Sequence, residues 1–140
     1  MSSGVGVNNA CLDAFQQLKA KRSLRYVIFK LSDDKKEIIV DTSSPAATAY
    51  DEFVAALPAQ DCRYAVYDFE YEKPGEGKRN KICFFVWSPD DAPVRSKMLY
   101  ASSKDAIRRR LEGIAAEIQA TDFSEAAYET VLEKATRTSH

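Results

Sequence analysis

Five fixed cations, Arg95, Lys97, Lys104, Arg108 and Arg109, fall within the run WSPDDAPVRSKMLYASSKDAIRRR between Trp87 and Arg110. No nucleophile, histidine or metal ligand stands among the five, so what they offer is docking rather than bond-making. The rest of the chain supports that exclusion. His140, the single histidine, is the last residue, which removes Ser-His and Cys-His nucleophile arrangements and ordinary zinc sites. No G-x-x-x-x-G-K-[ST] motif occurs, and the Gly75/Gly77 loop is neither spaced nor placed as a phosphate cradle. Asp68 and Glu70 share one strand face and could mimic paired carboxylates. With no cleft partner to name, they read as solvent-facing residues. No metal, cofactor or enzymatic activity is expected.

The docking surface depends on helical phase. At about 100° per residue, Ile107, Leu111 and Ile114 form a buried stripe. Lys104, Asp105, Arg108, Arg109 and Glu112 fill a separate exposed arc. Arg108 follows Lys104 by one turn, so the two cations repel each other mildly. Cations in the first half of a helix also oppose its macrodipole. A merely solvated face competes with a binding face here, and the unfavourable placement favours binding. A second charged patch joins Lys78, Arg79 and Lys81 at a hairpin end with Glu133, Lys134 and Arg137 on the terminal helix.

The elements that must carry these residues follow from periodicity and turn signals. Residues 1–7 are small and polar and are expected to form a mobile arm. Asn8 or Asn9 caps a helix with Cys11, Phe15 and Leu18 at helical spacing. Residues 25–31 and 37–41 read as a hairpin around the turn at 32–35. The stripe Ala49, Tyr50, Phe53, Val54 and Leu57 predicts a helix closed by Pro58. Residues 62–71 read as a strand with Ala65, Tyr67, Phe69 and Tyr71 on one face, and EKPGEGKRN as a long exposed hairpin loop. Residues 81–88 are apolar on both faces, Ile82, Phe84 and Val86 against Cys83, Phe85 and Trp87, which requires a central strand covered on both sides.

After Pro89 and Pro93, KMLYA (97–101) reads as a short strand, with Ser102 and Asp105 as a capping box opening the basic helix at 103–112. Gly113 marks its end or a kink, and 114–120 is compatible with helix or strand. Asp122 and Glu125 resemble a second helix start, followed by the stripe Tyr128, Val131, Leu132 and Ala135. The pattern predicts one domain over 8–137 and a tail at 138–140. Its class is α/β (α+β), a sheet sandwiched by helices on both faces.

Composition sets the remaining bounds. A chain of 140 residues is long enough to bury roughly 68–70% of its unfolded surface as one domain. Twenty basic and 21 acidic side chains nearly cancel, so no overall field draws the chain onto nucleic acid or membrane. No apolar run is long enough to span a bilayer. The start MSSGVGVNNA lacks the pattern of a signal peptide. Cys11, Cys62 and Cys83 lack metal spacing, sit in apolar patterns and are expected to be reduced, packed thiols of a cytosolic protein.

SGV near the start, DCRYAVYDFEY, GKRNKICFFVWSPDDAPVRSKMLYASSKDAIRRRL and ATDFSEAAYETVLEK together resemble the ADF/cofilin family over nearly the whole chain. The short loop after Lys30 is most similar to fungal or protist members. The resemblance implies a mixed, mainly antiparallel sheet with helices on both faces, and a monomeric protein of the cytoplasmic actin cytoskeleton, with nuclear entry open to it. It implies binding to monomeric and filamentous actin through Ser3, Gly4, Val5, Arg95, Lys97, Met98, Lys104, Asp105, Arg108 and Arg109. A filament-specific surface would comprise Arg79, Lys81, Glu133, Lys134 and Arg137. Preference for ADP-actin, severing and depolymerisation are implied, as are inhibition by phosphorylation at Ser3 and by phosphoinositide headgroups. The alternative on the same fold is a non-severing, coactosin-like side-binder or adaptor.

Overall fold

The computed structural model describes residues 4–137; Ser3 and the tail at 138–140 lie outside the described residues. In chain order the elements are β1 (Gly6–Val7), α1 (Asn9–Lys19), β2 (Leu24–Leu31), β3 (Glu37–Pro45), α2 (Tyr50–Ala56), β4 (Arg63–Lys73), β5 (Gly77–Trp87), α3 (Val94–Arg108), β6 (Ala116–Ala120) and α4 (Tyr128–Arg137). Among the described residues the strands form one sheet in the order β1-β3-β2-β4-β5-β6. Three antiparallel pairs make its centre, and β1 and β6 add parallel edges. This is the mixed, helix-flanked sheet expected above.

Alternation along β4 and β5 sorts the core into two layers. Tyr64, Val66, Ile82, Phe84 and Val86 pack with Phe15 and Leu18 of α1 and Tyr100 and Ile107 of α3. Ala65, Tyr67, Phe69, Cys83, Phe85 and Trp87 pack with Tyr50 and Phe53 of α2 and Val131 and Ala135 of α4. Two buried tyrosine hydroxyls find backbone partners, which offsets the cost of burying them. The Tyr64 hydroxyl donates to the Tyr100 carbonyl, and the Tyr50 hydroxyl to the Ala126 carbonyl at 2.5 Å. The three cysteines are free and buried. Burial is the main cause that pushes the Cys11 thiol up to about 11 and Cys83 to about 12, so neither presents a thiolate at neutral pH.

Four expectations are corrected. Residues 97–101 are not a strand but the middle of α3, which begins just after Pro93; a short apolar run does not separate strand from helix by itself. Ser102 is therefore no cap. Its hydroxyl donates back to the Leu99 carbonyl at 3.1 Å, the i−3 bond of a mid-helix serine. The long loop at 72–80 is strand except for the turn at 74–76, with pairing continuing to Lys73 and Gly77. The arm is docked from Gly6 onward, where β1 pairs with Glu37 and Ile38.

The ambiguous run 114–120 resolves as the strand β6. The Asp122–Glu125 pair closes a turn rather than starting α4: the Glu125 N–H donates to Asp122 Oδ1 at 2.9 Å and the Thr121 N–H to Glu125 Oε1 at 2.7 Å.

The turn between α3 and β6 is held from outside. Lys19 of α1 donates to the Glu112 carbonyl at 2.8 Å, and its ammonium lies 2.9 Å from where a Cβ on Gly113 would stand. Gly113 has φ +93°, a conformation costly for residues with a Cβ. Gly113→Ala is expected to lower stability by about 1–2 kcal/mol, read as a lower urea midpoint with an unchanged slope. An unchanged midpoint would show that the turn relaxes freely.

Candidate functional site

α3 is 15 residues long, about 22 Å at 1.5 Å per residue. Tyr100, Ser103 and Ile107 are buried against the sheet. At 3.6 residues per turn the opposite face carries Val94, Met98, Asp105 and Arg109 along one ridge. Arg95 and Ser102 lie beside it on one flank, and Lys97, Lys104 and Arg108 on the other. Val94 and Met98 are 70% and 67% exposed, unusual for large apolar side chains and typical of an interaction surface when they cluster. Val94, Arg95, Met98, Leu99 and Ser102 line a shallow apolar groove. The first turn contains no acidic residue and Pro93 supplies no side-chain cap, leaving the positive end of the helix dipole to an incoming acidic group. The arm reaches the same region, since β1 touches α3 and Val5 packs on the core layer beneath it.

The repulsion expected between Lys104 and Arg108 is offset by a residue not anticipated from the sequence. Glu117 of β6 accepts from Lys104 at 3.3 Å and pairs with Arg108 at 3.4 Å. Lys97 donates to the Asp90 carbonyl at 2.8 Å, across the loop before α3. The cations on this flank are thus held in place, although such exposed ion pairs contribute at most about 1 kcal/mol each to stability. Val94 was likewise not singled out. Its signal was the i, i+4 relation to Met98, which becomes visible once the helix is known to start at residue 94.

The second patch assembles on the other face of the sheet. Arg79 and Lys81 share one face of β5, and Lys81 donates to the Ala135 carbonyl of α4 at 2.8 Å. That carbonyl belongs to the last turn, where intrahelical partners are missing and a cation is favoured. Glu133 and Arg137 pair one turn apart on α4 at 2.5 Å, and Arg79 pairs with Glu76 at 2.6 Å. Lys134 is half-buried on α4, and Lys78 is exposed on the opposite face of the hairpin from Arg79. Of the expected site residues, Ser3 lies outside the described residues. Gly4 and Val5 fall on the arm, the α3 set on one surface, and the hairpin–α4 set on another. Asp68 is not solvent-facing as expected; it is 3% exposed.

Residues 4–136 match the family model for cofilin/tropomyosin-type actin-binding proteins. The chain belongs to the ADF/cofilin family. It is 58% identical over 137 residues to cofilin of Mycosarcoma maydis, covering 98% of each protein. It is 60% identical over 135 residues to cofilin of Schizosaccharomyces pombe, covering 96% of this chain and 97% of that one. A crystal structure of Streptomyces griseoflavus cofilin superimposes with a TM-score of 0.90 at 54% identity, covering 96% of this chain and 98% of that one. The family resemblance read from the sequence is therefore correct.

Lys81 thus serves as a helix cap as well as a surface cation. Lys81→Met is expected to loosen the last turn of α4, costing about 0.5–1 kcal/mol and speeding amide exchange at 133–137. Arg79→Ala should leave both unchanged. Equal exchange in Lys81→Met and the parent protein would remove the capping role.

Proposed function

We propose that the protein binds actin in both monomeric and filamentous form, and that it severs and depolymerises filaments. The observation carrying this reading is the pair of cation-bearing surfaces on opposite faces of one sheet. A monomer sequesterer needs one docking surface, whereas a filament binder must touch two subunits. On this reading the exposed face of α3 enters an apolar cleft of one subunit. Val94 and Met98 supply buried contact, Arg95, Lys97, Lys104, Arg108 and Arg109 meet acidic groups at the rim, and Asp105 meets a donor. Ser3, Gly4 and Val5 of the arm close on the same subunit. Arg79, Lys81, Glu133, Lys134 and Arg137 contact its neighbour.

Severing follows from linkage. A ligand shifts a two-state lattice only through its differential affinity for the two states. Preferential binding to ADP-bound, altered-twist subunits would drive decorated segments to that state and leave strained junctions with bare ones. Phosphorylation of Ser3 would add about −1.5 to −2 charges to the arm, opposing an acidic partner. Phosphoinositide headgroups would compete for the same cations, with an attraction of about 1 kcal/mol per basic residue at an anionic surface.

Because Lys81 also caps α4, Arg79→Ala is the cleaner probe of the second surface. Arg79→Ala should weaken co-sedimentation with ADP-actin filaments by about three- to tenfold, as loss of one rim cation does, and leave monomer binding within twofold. Equal loss of both would refute the division into two surfaces. Ser3→Glu should reduce both activities. Co-sedimentation of the parent protein without fragmentation in light microscopy would favour a non-severing side-binder, and absence of both would end the actin reading.

A further inference from the structure

The β4–β5 hairpin outgrows the sheet. Pairing of β2 with β4 ends at Tyr26–Tyr67, and pairing of β6 with β5 begins at Cys83–Ala116. The Ile82 carbonyl still accepts from the Ala115 N–H at 2.8 Å, and from Phe69–Lys81 out to Lys73–Gly77 the two strands pair only with each other. An isolated two-stranded ribbon is marginally stable and free to twist, yet this one carries Arg79 and Lys81.

At its root lies a buried carboxylate that nothing above requires. Asp68 Oδ2 accepts from Arg22 Nε at 3.2 Å, and Oδ1 accepts from Asn80 Nδ2 at 3.0 Å. Asn80 stands between the two ribbon cations in sequence and diagonally across the strand pair from Asp68, within the reach of cross-strand neighbours. The Arg22 guanidinium also pairs with Glu70 at 3.1 Å. Arg25 bonds the Asp68 carbonyl at 2.8 Å and Glu70 at 3.2 Å, and its Nε reaches the Ala46 carbonyl at 2.8 Å. Arg22 holds φ +53°, a strained conformation for a residue with a Cβ.

Buried ion sets contribute little net stability over apolar packing, and their best-attested use is to fix geometry. The geometry points to Asp68 as a positioning residue: with Asn80 and Arg22 it sets the direction of the ribbon and so the placement of Arg79 and Lys81 on the second actin subunit. Lys81, bonded to α4, fixes the same root from the opposite face. This assignment rests on the filament reading of Arg79 and Lys81.

The test compares Asn80→Ala, Asp68→Asn, their double variant and Arg79→Ala in the full chain, measuring affinity for ADP-actin filaments and for ADP-actin monomers. Asn80→Ala and Asp68→Asn are each expected to weaken filament binding three- to tenfold and monomer binding less than twofold. The double variant should be no weaker than the weaker single one, because both remove the same constraint. Amide exchange should rise across 69–81 but not in β2. Asn80 is exposed, so its variant keeps the test decisive even where Asp68→Asn unfolds. If Arg79→Ala weakens filament binding and Asn80→Ala does not, the positioning role falls alone. If neither weakens it, the filament surface falls and the positioning role with it. Equal loss for monomers and filaments also overturns it.

Discussion

The β4–β5 strand pair is apolar on both faces, and the placement of everything else depends on that. From Tyr64 to Phe69 and from Ile82 to Trp87 every residue but Asp68 is hydrophobic, and all are buried. Alternate side chains of a strand point to opposite faces, so such a pair cannot rest with one face in water. It needs a layer of helices on each side. α1 and α3 cover one face and α2 and α4 the other. The outward faces of α3 and α4, one helix from each layer, thereby lie on opposite sides of a single sheet. These are the faces that carry the α3 ridge and the Glu133–Arg137 edge. Two surfaces mounted this way keep a fixed relation to each other, which two surfaces joined by a loop would not.

The parallel pairing of β6 with β5 constrains α3 in turn. A parallel neighbour requires a crossover rather than a hairpin, and the connection from Trp87 to Ala116 contains α3. Its buried side is fixed by Tyr100, Ser103 and Ile107, so its free side is fixed too. Both ends of the crossover are tied down: Lys97 bonds the Asp90 carbonyl before the helix and Lys19 bonds the Glu112 carbonyl after it. Glu117 arrives on β6 beside Lys104 and Arg108 because the strand closing the crossover runs alongside the helix it follows. The like-charge pair that looked unfavourable in isolation is accommodated by tertiary structure. Glu117 neutralises part of the patch, leaving Arg95 and Arg109 as the exposed cations nearest the apolar ridge of Val94 and Met98.

What could be read from the sequence was whatever local pattern decides. Two-sided apolarity gave the central strand and the sandwich, and helical spacing gave α1, α2 and α4, though of the α4 stripe only Val131 and Ala135 are buried and Tyr128 is exposed. Most of the cations expected on surfaces lie on them. KMLYA was misread because five residues are too few for a period to show, and the stripe Tyr100–Ser103–Ile107 that settles it has a serine at its centre. Val94 could not be recognised until the helix start was known. Asp68 was misplaced for a different reason. An alternating Asp and Glu on a strand look solvated unless a partner distant in sequence covers them, and Arg22 and Asn80 lie 46 and 12 residues away. Lys81 as a cap for α4 is equally non-local, spanning 54 residues.

These non-local contacts share a character. Apolar packing holds the sheet and its two helical layers, where burial at about 25 cal/mol per Å² needs no directional partner. Charged side chains bonded to backbone carbonyls or to one another hold the pieces that leave the core, namely the ribbon, the end of α4 and both ends of the α3 crossover. Directional bonds suit that task. An apolar contact tolerates sliding, whereas a lysine on a terminal carbonyl, or a carboxylate held between an arginine and an asparagine, defines both distance and angle. On the proposed function, two surfaces must meet a repeating partner in register, and fixed angles at these junctions then contribute more than further stability in a core already closed. That places the dependence of the proposed filament contact outside the contact itself, in residues such as Asp68 and Asn80 at the root of the ribbon.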